Sequence, residues 1–331
     1  MNRYIFNEKD LANINKVVSE VCNDAQSDAD LYYKAKDASL ELPLMIRKKL
    51  NEFKDESIGS HLILSGFDVN DTDIGPTPST TKPDIQHRIT REDTYLALIA
   101  ALLGFPFSFA TQQKGRLIQN IVPMKSAENS QLGAGSKEGL VWHTEDAFHP
   151  HRPDYIVLMG LRNPENIATT VAEIPNNFSE EEIELLFSKN FHFIPDPDHA
   201  KHLKNWKTNA EKISYSKMQQ FIKKPVPQAV LYGSRDKPYL RLDPIFTNIV
   251  DKEHPSTRVY EKLLKAIDNN LLDISLKSGD ILILDNHLSV HGRRPFVPKY
   301  NGNDRWLKKI NITLDAKKSK AFRHHSNSFV I

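Results

Sequence analysis

His143 and Glu145 stand two residues apart in His143-Thr144-Glu145, and His291 follows 146 residues after Glu145 in the segment VHGRRPF. Two imidazoles and one carboxylate can cap one face of Fe(II), leaving three positions for a cosubstrate and O2. Residues i and i+2 of a strand share one side of a sheet, so His143 and Glu145 can point inward together. The second histidine must then come from an adjacent strand, and GDILIL at 279–284 supplies one that ends shortly before His291. A His-x-Asp/Glu triplet alone says little, because about two are expected by chance at this composition and the ordinary reading is loop polarity. Arg305, 14 residues after His291, adds to the pattern. A guanidinium there can grip the distal carboxylate of a dicarboxylate cosubstrate through two parallel hydrogen bonds. Thr169 and Thr170, after an apolar run, can offer that carboxylate a hydroxyl. The competing reading is an arginine stacked on Trp306 at the surface.

The elements that would carry these residues are legible in outline. Leu11, Ile14, Val17, Val18 and Val21 recur at helical spacing, and a second periodic stretch over 31–53 is split by Pro43. Residues 61–67 read as the first strand and 69–84, rich in Asp, Thr, Pro and Ser, as a surface loop. Thr90 with Asp93 three residues on predicts a capping box opening a helix that ends at Gly104. Short apolar runs then predict strands at 105–110, 117–122, 155–161, 169–174, 229–232, 239–242, 281–284 and 310–314, with helices over 179–188 and 256–274. Strands that do not alternate regularly with helices disfavour a doubly wound parallel sheet. They predict an α+β fold, a jelly-roll or cupin-like barrel wrapped by helices. Residues 1–331 read as one domain: a helical segment over 1–60, the core over 61–316 and a solvated tail over 317–331. The small-residue stretch 125–137 reads as a lid loop.

Composition narrows the chemistry. The chain has 331 residues, 39% of them hydrophobic, enough for a sizeable core. A single cysteine, Cys22, excludes an internal disulfide framework and cysteine-rich zinc or iron–sulfur sites. With 44 basic and 42 acidic residues the net charge is +2, so nothing signals a nucleic-acid or membrane-surface partner. The polar N-terminus and the absence of a run of about 18 apolar residues predict a cytoplasmic globular protein. His149 and His151 could suggest a zinc cluster, but Pro150 and Pro153 mark a turn and no cysteine completes a site. His287, four residues before His291, is expected to point away from the metal.

Taken together, WHTEDAFHPHRPDY, LRNP followed by ATT, and VHGRRPF with DRWL resemble the clavaminate-synthase-like Fe(II)/2-oxoglutarate oxygenases. The resemblance covers about residues 60 to 316. It implies a double-stranded β-helix, with His143, Glu145 and His291 as iron ligands and Arg305, helped by Thr170, as the anchor for 2-oxoglutarate. It also implies hydroxylation of a side-chain carbon with release of succinate and CO2.

Within the family the sequence looks most like hydroxylases of free amino acids. Matching positions put Gln113 near the substrate α-amino group, with Ser136 as a second polar contact. Lys309 falls where relatives acting on arginine carry an arginine for the substrate carboxylate. The segment 193–199 resembles one that supplies a carboxylate, Asp196, to a cationic side chain, while Asp243 matches a second carboxylate position and Asp236 a looser third. Carboxylates aimed into a closed pocket predict a cationic substrate. The wording around His143 leans to free L-lysine, with L-arginine second, and to C4 over C3. The alternatives are a desaturase or an asparagine-directed enzyme with the same iron site, and a cupin-like binding protein without turnover. The sequence leaves room for a homo-oligomer.

Overall fold

The computed structural model describes residues 2–80, 89–201, 209–325 and 327–331, the side chains at 200, 201 and 209–211 excepted. Near the N-terminus, the helix Glu8–Asp24 begins at Asn7, whose side chain accepts from the Asp10 N–H while Asp10 accepts from the Asn7 N–H. Ile14, Val17, Val18 and Val21 form its buried stripe. Pro43 separates Asp28–Ala38 from Leu44–Lys54 and stands at the start of the latter. Thr90 and Asp93 form the expected capping box, and the helix Arg91–Leu103 stops at Gly104. Leu96, Leu98, Ile99 and Ala100 are buried on several sides of it, which makes it the central helix of the layer.

These helices cover one face of a seven-stranded sheet. Its order is Arg3–Ile5, His61–Ser65, Ile281–Asp285, Tyr155–Arg162, Trp306–Thr313 and Phe105–Phe107, with Gln119–Ile121 also paired to Trp306–Thr313. Period-two alternation divides the strands between two cores. Ile281 and Ile283 join Val157 and Met159 in the core under the helices. Leu282 and Leu284 join Ile156, Leu158 and Leu307 on the opposite face. There they meet Val171, Ile274 and Leu276, so that a second sheet packs on this side. That sheet is antiparallel, in the order Leu272–Ile274, Thr169–Glu173, Ser289–Arg293 and Leu140–His143.

Several expectations need correction. The segment 1–60 contains a strand, Arg3–Ile5, parallel to His61–Ser65. The helix expected over 256–274 stops at Asp268, and Leu272–Ile274 turns into an edge strand on Thr169–Glu173. A helix over Asn209–Lys223 was not expected. The C-terminus is not a solvated tail: Phe329 and Ile331 are buried, Phe329 stacks on Phe105, and the Ser108 backbone donates its N–H to the Phe329 carbonyl and accepts from the Ile331 N–H. The expected loop over 69–84 contains the short helix Asp71–Ile74, and residues 81–84 of it lie outside the described residues.

Candidate metal and substrate site

The two histidines are brought together by strand register. His143 ends its strand directly opposite His291 on the neighbouring antiparallel strand, and their rings lie 4.7 Å apart between centroids. Close approach of these strands requires Gly292, where an added Cβ would stand 2.5 Å from the Leu140 carbonyl oxygen and 2.8 Å from Thr170 Oγ1. Glu145 lies just past the strand end, held by Asn286, which accepts from the Glu145 N–H at 2.7 Å and donates to its carbonyl at 3.1 Å. One ligand atom from each of His143, Glu145 and His291 falls within 4.8 Å of the others, and no other such cluster occurs among the described residues. Glu145 Oε2 is 3.3 Å from His291 Nε2 and 3.9 Å from His143 Nε2. His143 Nδ1 lies 2.9 Å from the Val141 carbonyl, which assigns the proton to Nδ1 and leaves Nε2 free as a ligand.

Electrostatics support a cation here. Burial opposes ionisation of Glu145, but Lys309 and the two histidines outweigh it and hold the carboxyl well below its usual range. Burial pushes His291 down, keeping its imidazole neutral and able to coordinate. Lys309 pairs with Glu145 Oε1, the oxygen turned away from the histidines.

The site opens into a cavity of about 710 Å3 between the two sheets and the segments around Asp196 and Asp243. Charges are segregated along its wall. Arg305 is 6% exposed and makes one hydrogen bond, from Nη2 to Thr169 Oγ1 at 3.1 Å, while its Nε has no partner. Burial, with Arg293 adding to it, lowers the Arg305 pKa to about 9. A buried guanidinium with unspent donors and no paired carboxylate among the described residues is a receptor for an anion. The hydroxyl beside Arg305 belongs to Thr169 and not to Thr170, because successive strand residues face opposite sides and Thr170 turns toward Gly292.

Asp196, Asp198 and Asp243 line another part of the cavity, with Ile194, Tyr215, Ile245 and Phe246. Asp196 Oδ1 accepts from the N–H groups of Asp198 and His199, and Asp243 Oδ1 from that of Phe246. Burial raises the Asp243 carboxyl to about 6, and Asp196 adds repulsion. Asp236 is not in this group; it is exposed and bonded to Ser234 in a turn.

Two further expectations fail on geometry. Gln113 lines the cavity, but its amide donates to the Asn120 carbonyl at 2.8 Å and accepts from the Asn120 N–H at 3.1 Å, so neither end is available. Ser136 is fully buried and does not line the cavity; its carbonyl instead receives Phe296 N–H and Arg293 Nη1, pinning the loop 125–137 to the histidine strand. Of that loop, Ser126, Ala127, Gln131, Leu132, Gly133 and Ala134 do line the cavity. His149 sits among Phe109, Phe148 and Phe221, held neutral by burial, and His287 turns to Asp154 and Tyr232.

Sequence reasoning missed Asp146, His199 and Gln112. His199 is fully buried, with Nε2 2.9 Å from Asp146 Oδ1 and Nδ1 2.6 Å from Thr111 Oγ1. Burial opposes its protonation, but Asp196 and Asp146 outweigh it and raise its pKa.

Residues 89–310 match the model of the taurine catabolism dioxygenase TauD, TfdA family. Enduracididine beta-hydroxylase of Streptomyces hygroscopicus is 35% identical over 98% of this chain and 98% of its own. L-ornithine/L-arginine 3-hydroxylase of Catenulispora acidiphila is 34% identical over 89% of this chain and 88% of its own. The crystal structure of the non-heme iron oxygenase OrfP with Fe, succinate and (3S)-hydroxy-L-Arg superposes with a TM-score of 0.94 at 36% identity, covering 100% of both chains. OrfP has also been crystallised with Fe and alpha-ketoglutaric acid. The L-lysine 3-hydroxylase of Catenulispora acidiphila is less similar, at 27% identity over 91% of this chain and 79% of its own.

Proposed function

Because the chain belongs to the taurine catabolism dioxygenase TauD, TfdA family, we propose that it hydroxylates C3 of a free amino acid of the arginine type, L-arginine first. The chain is an Fe(II)/2-oxoglutarate-dependent oxygenase of amino acids. In this reading residues 1–331 form one domain around a double-stranded β-helix. The observation that carries the substrate is the pair Asp196 and Asp243 on one cavity wall, where burial and the nearby Asp196 charge both push the Asp243 carboxyl up. Carboxylates in that setting are stabilised by an incoming cation, and a planar guanidinium can engage more than one of them. The expected preference for lysine gives way: relatives at 34 and 35% identity are named for ornithine, arginine or enduracididine and OrfP, at 36%, was crystallised with (3S)-hydroxy-L-Arg, against 27% for a lysine enzyme. The names of those relatives likewise favour C3 over C4.

In this mechanism His143, Glu145 and His291 would hold Fe(II), at which O2 would serve as the four-electron oxidant, two electrons coming from decarboxylation of 2-oxoglutarate to succinate and CO2 and two from the substrate C–H bond that becomes C–OH. Arg305 and the Thr169 hydroxyl fix the distal carboxylate of 2-oxoglutarate. Lys309 neutralises the ligand Glu145 and stands ready for the substrate carboxylate. Asn286 keeps Glu145 turned to the metal, and the loop over 125–137 excludes water.

No helix among the described residues is long and apolar enough to cross a membrane. The test is turnover with Fe(II), 2-oxoglutarate and a panel of arginine, ornithine, lysine and asparagine. Arginine is expected to gain about 16 Da with matching succinate, as oxygen insertion requires. Faster, fully coupled turnover of lysine would overturn the arginine assignment.

A further inference from the structure

With both ends of the Gln113 amide spent on Asn120, the ammonium of a bound amino acid needs another acceptor in the cavity wall. Asp146 meets that need. It follows Glu145 directly, is 9% exposed and lines the cavity. Its Oδ1 receives His199 Nε2–H at 2.9 Å and Gln112 Nε2–H at 3.3 Å, whereas its Oδ2 is buried with no hydrogen-bond partner. A carboxylate oxygen left without a donor is costly, and Asp146 also occupies a left-handed backbone conformation, φ 51°. Placing Glu145 does not explain either expense, because Asn286 already holds the Glu145 backbone from both sides. Lys309 lies close enough for its charge to act on Asp146, yet its hydrogen bond goes to Glu145. The wall therefore presents an anion and a cation side by side, the complement of the ammonium and carboxylate of a zwitterion.

We infer that Asp146 Oδ2 receives the α-ammonium of the amino-acid substrate and that His199, with Gln112, holds the carboxylate in place for it. His199 is suited to this positioning role: its ring is wedged between Phe109 and Phe148, and Thr111 fixes its other nitrogen. Its backbone N–H also donates to Asp196, so one residue braces both the ammonium site and the side-chain pocket.

The inference rests on the amino-acid hydroxylase reading, and the test separates the two. Calorimetric binding and steady-state turnover are measured for L-arginine and for 5-guanidinopentanoate, which is arginine without its α-amino group. The whole protein is used, loaded with metal and 2-oxoglutarate. The nearly isosteric Asp146→Asn is expected to weaken L-arginine about 10- to 100-fold, the range of a hydrogen bond to a charged group, and to leave 5-guanidinopentanoate within about threefold. His199→Phe should reproduce part of that loss, again only for the ligand that carries the ammonium, and His199→Gln, which keeps a donor, should recover most of it. Equal losses on both ligands, or none on either, overturn the inference. If another amino acid proves the better substrate, the arginine reading fails, and Asp146 is judged on that amino acid and its desamino analogue. If no amino acid binds, both fail.

Discussion

Asp243 is where recognition and stability pull in opposite directions. Its carboxyl is pushed up to about 6 by burial and by Asp196, despite His143 and two backbone N–H groups. A group at that value is about 10% ionised at pH 5 and about 97% ionised at pH 7.5. If the ionised form binds the guanidinium, the apparent KM for arginine falls about tenfold as pH rises across that interval. The native carboxyl holds its proton more tightly than the ordinary value of 3.8 allows the unfolded chain to do. Its ionisation therefore costs the fold up to about 3 kcal/mol at pH 7, a cost that vanishes toward pH 4. Asp243→Asn keeps an oxygen for the Phe246 N–H while removing the charge. The variant is expected to melt at a higher temperature than the parent at pH 7, with no gain at pH 4, and to have a raised, pH-flat KM for arginine. Initial rates at saturating 2-oxoglutarate between pH 5 and 7.5, with thermal melts at both ends, test this. A wild-type KM that ignores pH, or a variant less stable at pH 7 than its parent, would refute the reasoning.

Four other outcomes follow from the structure. Arg305→Gln should raise the KM for 2-oxoglutarate by about 30-fold or more, the cost of truncating one partner of a buried ion pair, with little change for arginine. Thr169→Val should raise the same KM by several-fold and Thr170→Val should not, a contrast read in parallel titrations with 2-oxoglutarate. Asn286→Ala frees Glu145 to turn, and Fe(II) affinity measured by anaerobic titration should drop about 10- to 100-fold. Phe329→Ala empties the stack on Phe105 and should cost about 3 kcal/mol in denaturant unfolding, a result that a solvated tail would not give.

The metal triad was legible from residue type and spacing, but not by the expected route: Glu145 lies past the end of the strand Leu140–His143, so strand parity does not place it, and His291 sits on the strand Ser289–Arg293 of the second sheet, not on the strand over 279–284. The same parity explains the miss at Thr170: a one-residue shift along a strand exchanges faces, and the sequence shows two threonines without saying which points in. Gln113 was misplaced because an amide can satisfy its own turn as readily as a ligand, and only the contact with Asn120 reveals it. Strands of three residues, such as Leu272–Ile274 and Phe191–Phe193, are too short to carry a period. Asp146 and His199 are 53 positions apart, so their pairing is a property of the folded chain alone. One signal for it stood in the sequence: a second acidic residue directly after the ligand Glu145, where charge repulsion makes an acid expensive unless something pairs with it.

The central claim is that oxygen from O2 is placed on an arginine-type side chain at the His143–Glu145–His291 centre while 2-oxoglutarate is consumed. Single turnover under 18O-labelled dioxygen, with mass spectrometry of both products, tests it most directly. Hydroxylated arginine and succinate are each expected to carry one labelled oxygen in equal amounts, and His291→Ala should yield neither. Labelled succinate without labelled hydroxyarginine, or undiminished product from His291→Ala, would contradict the account.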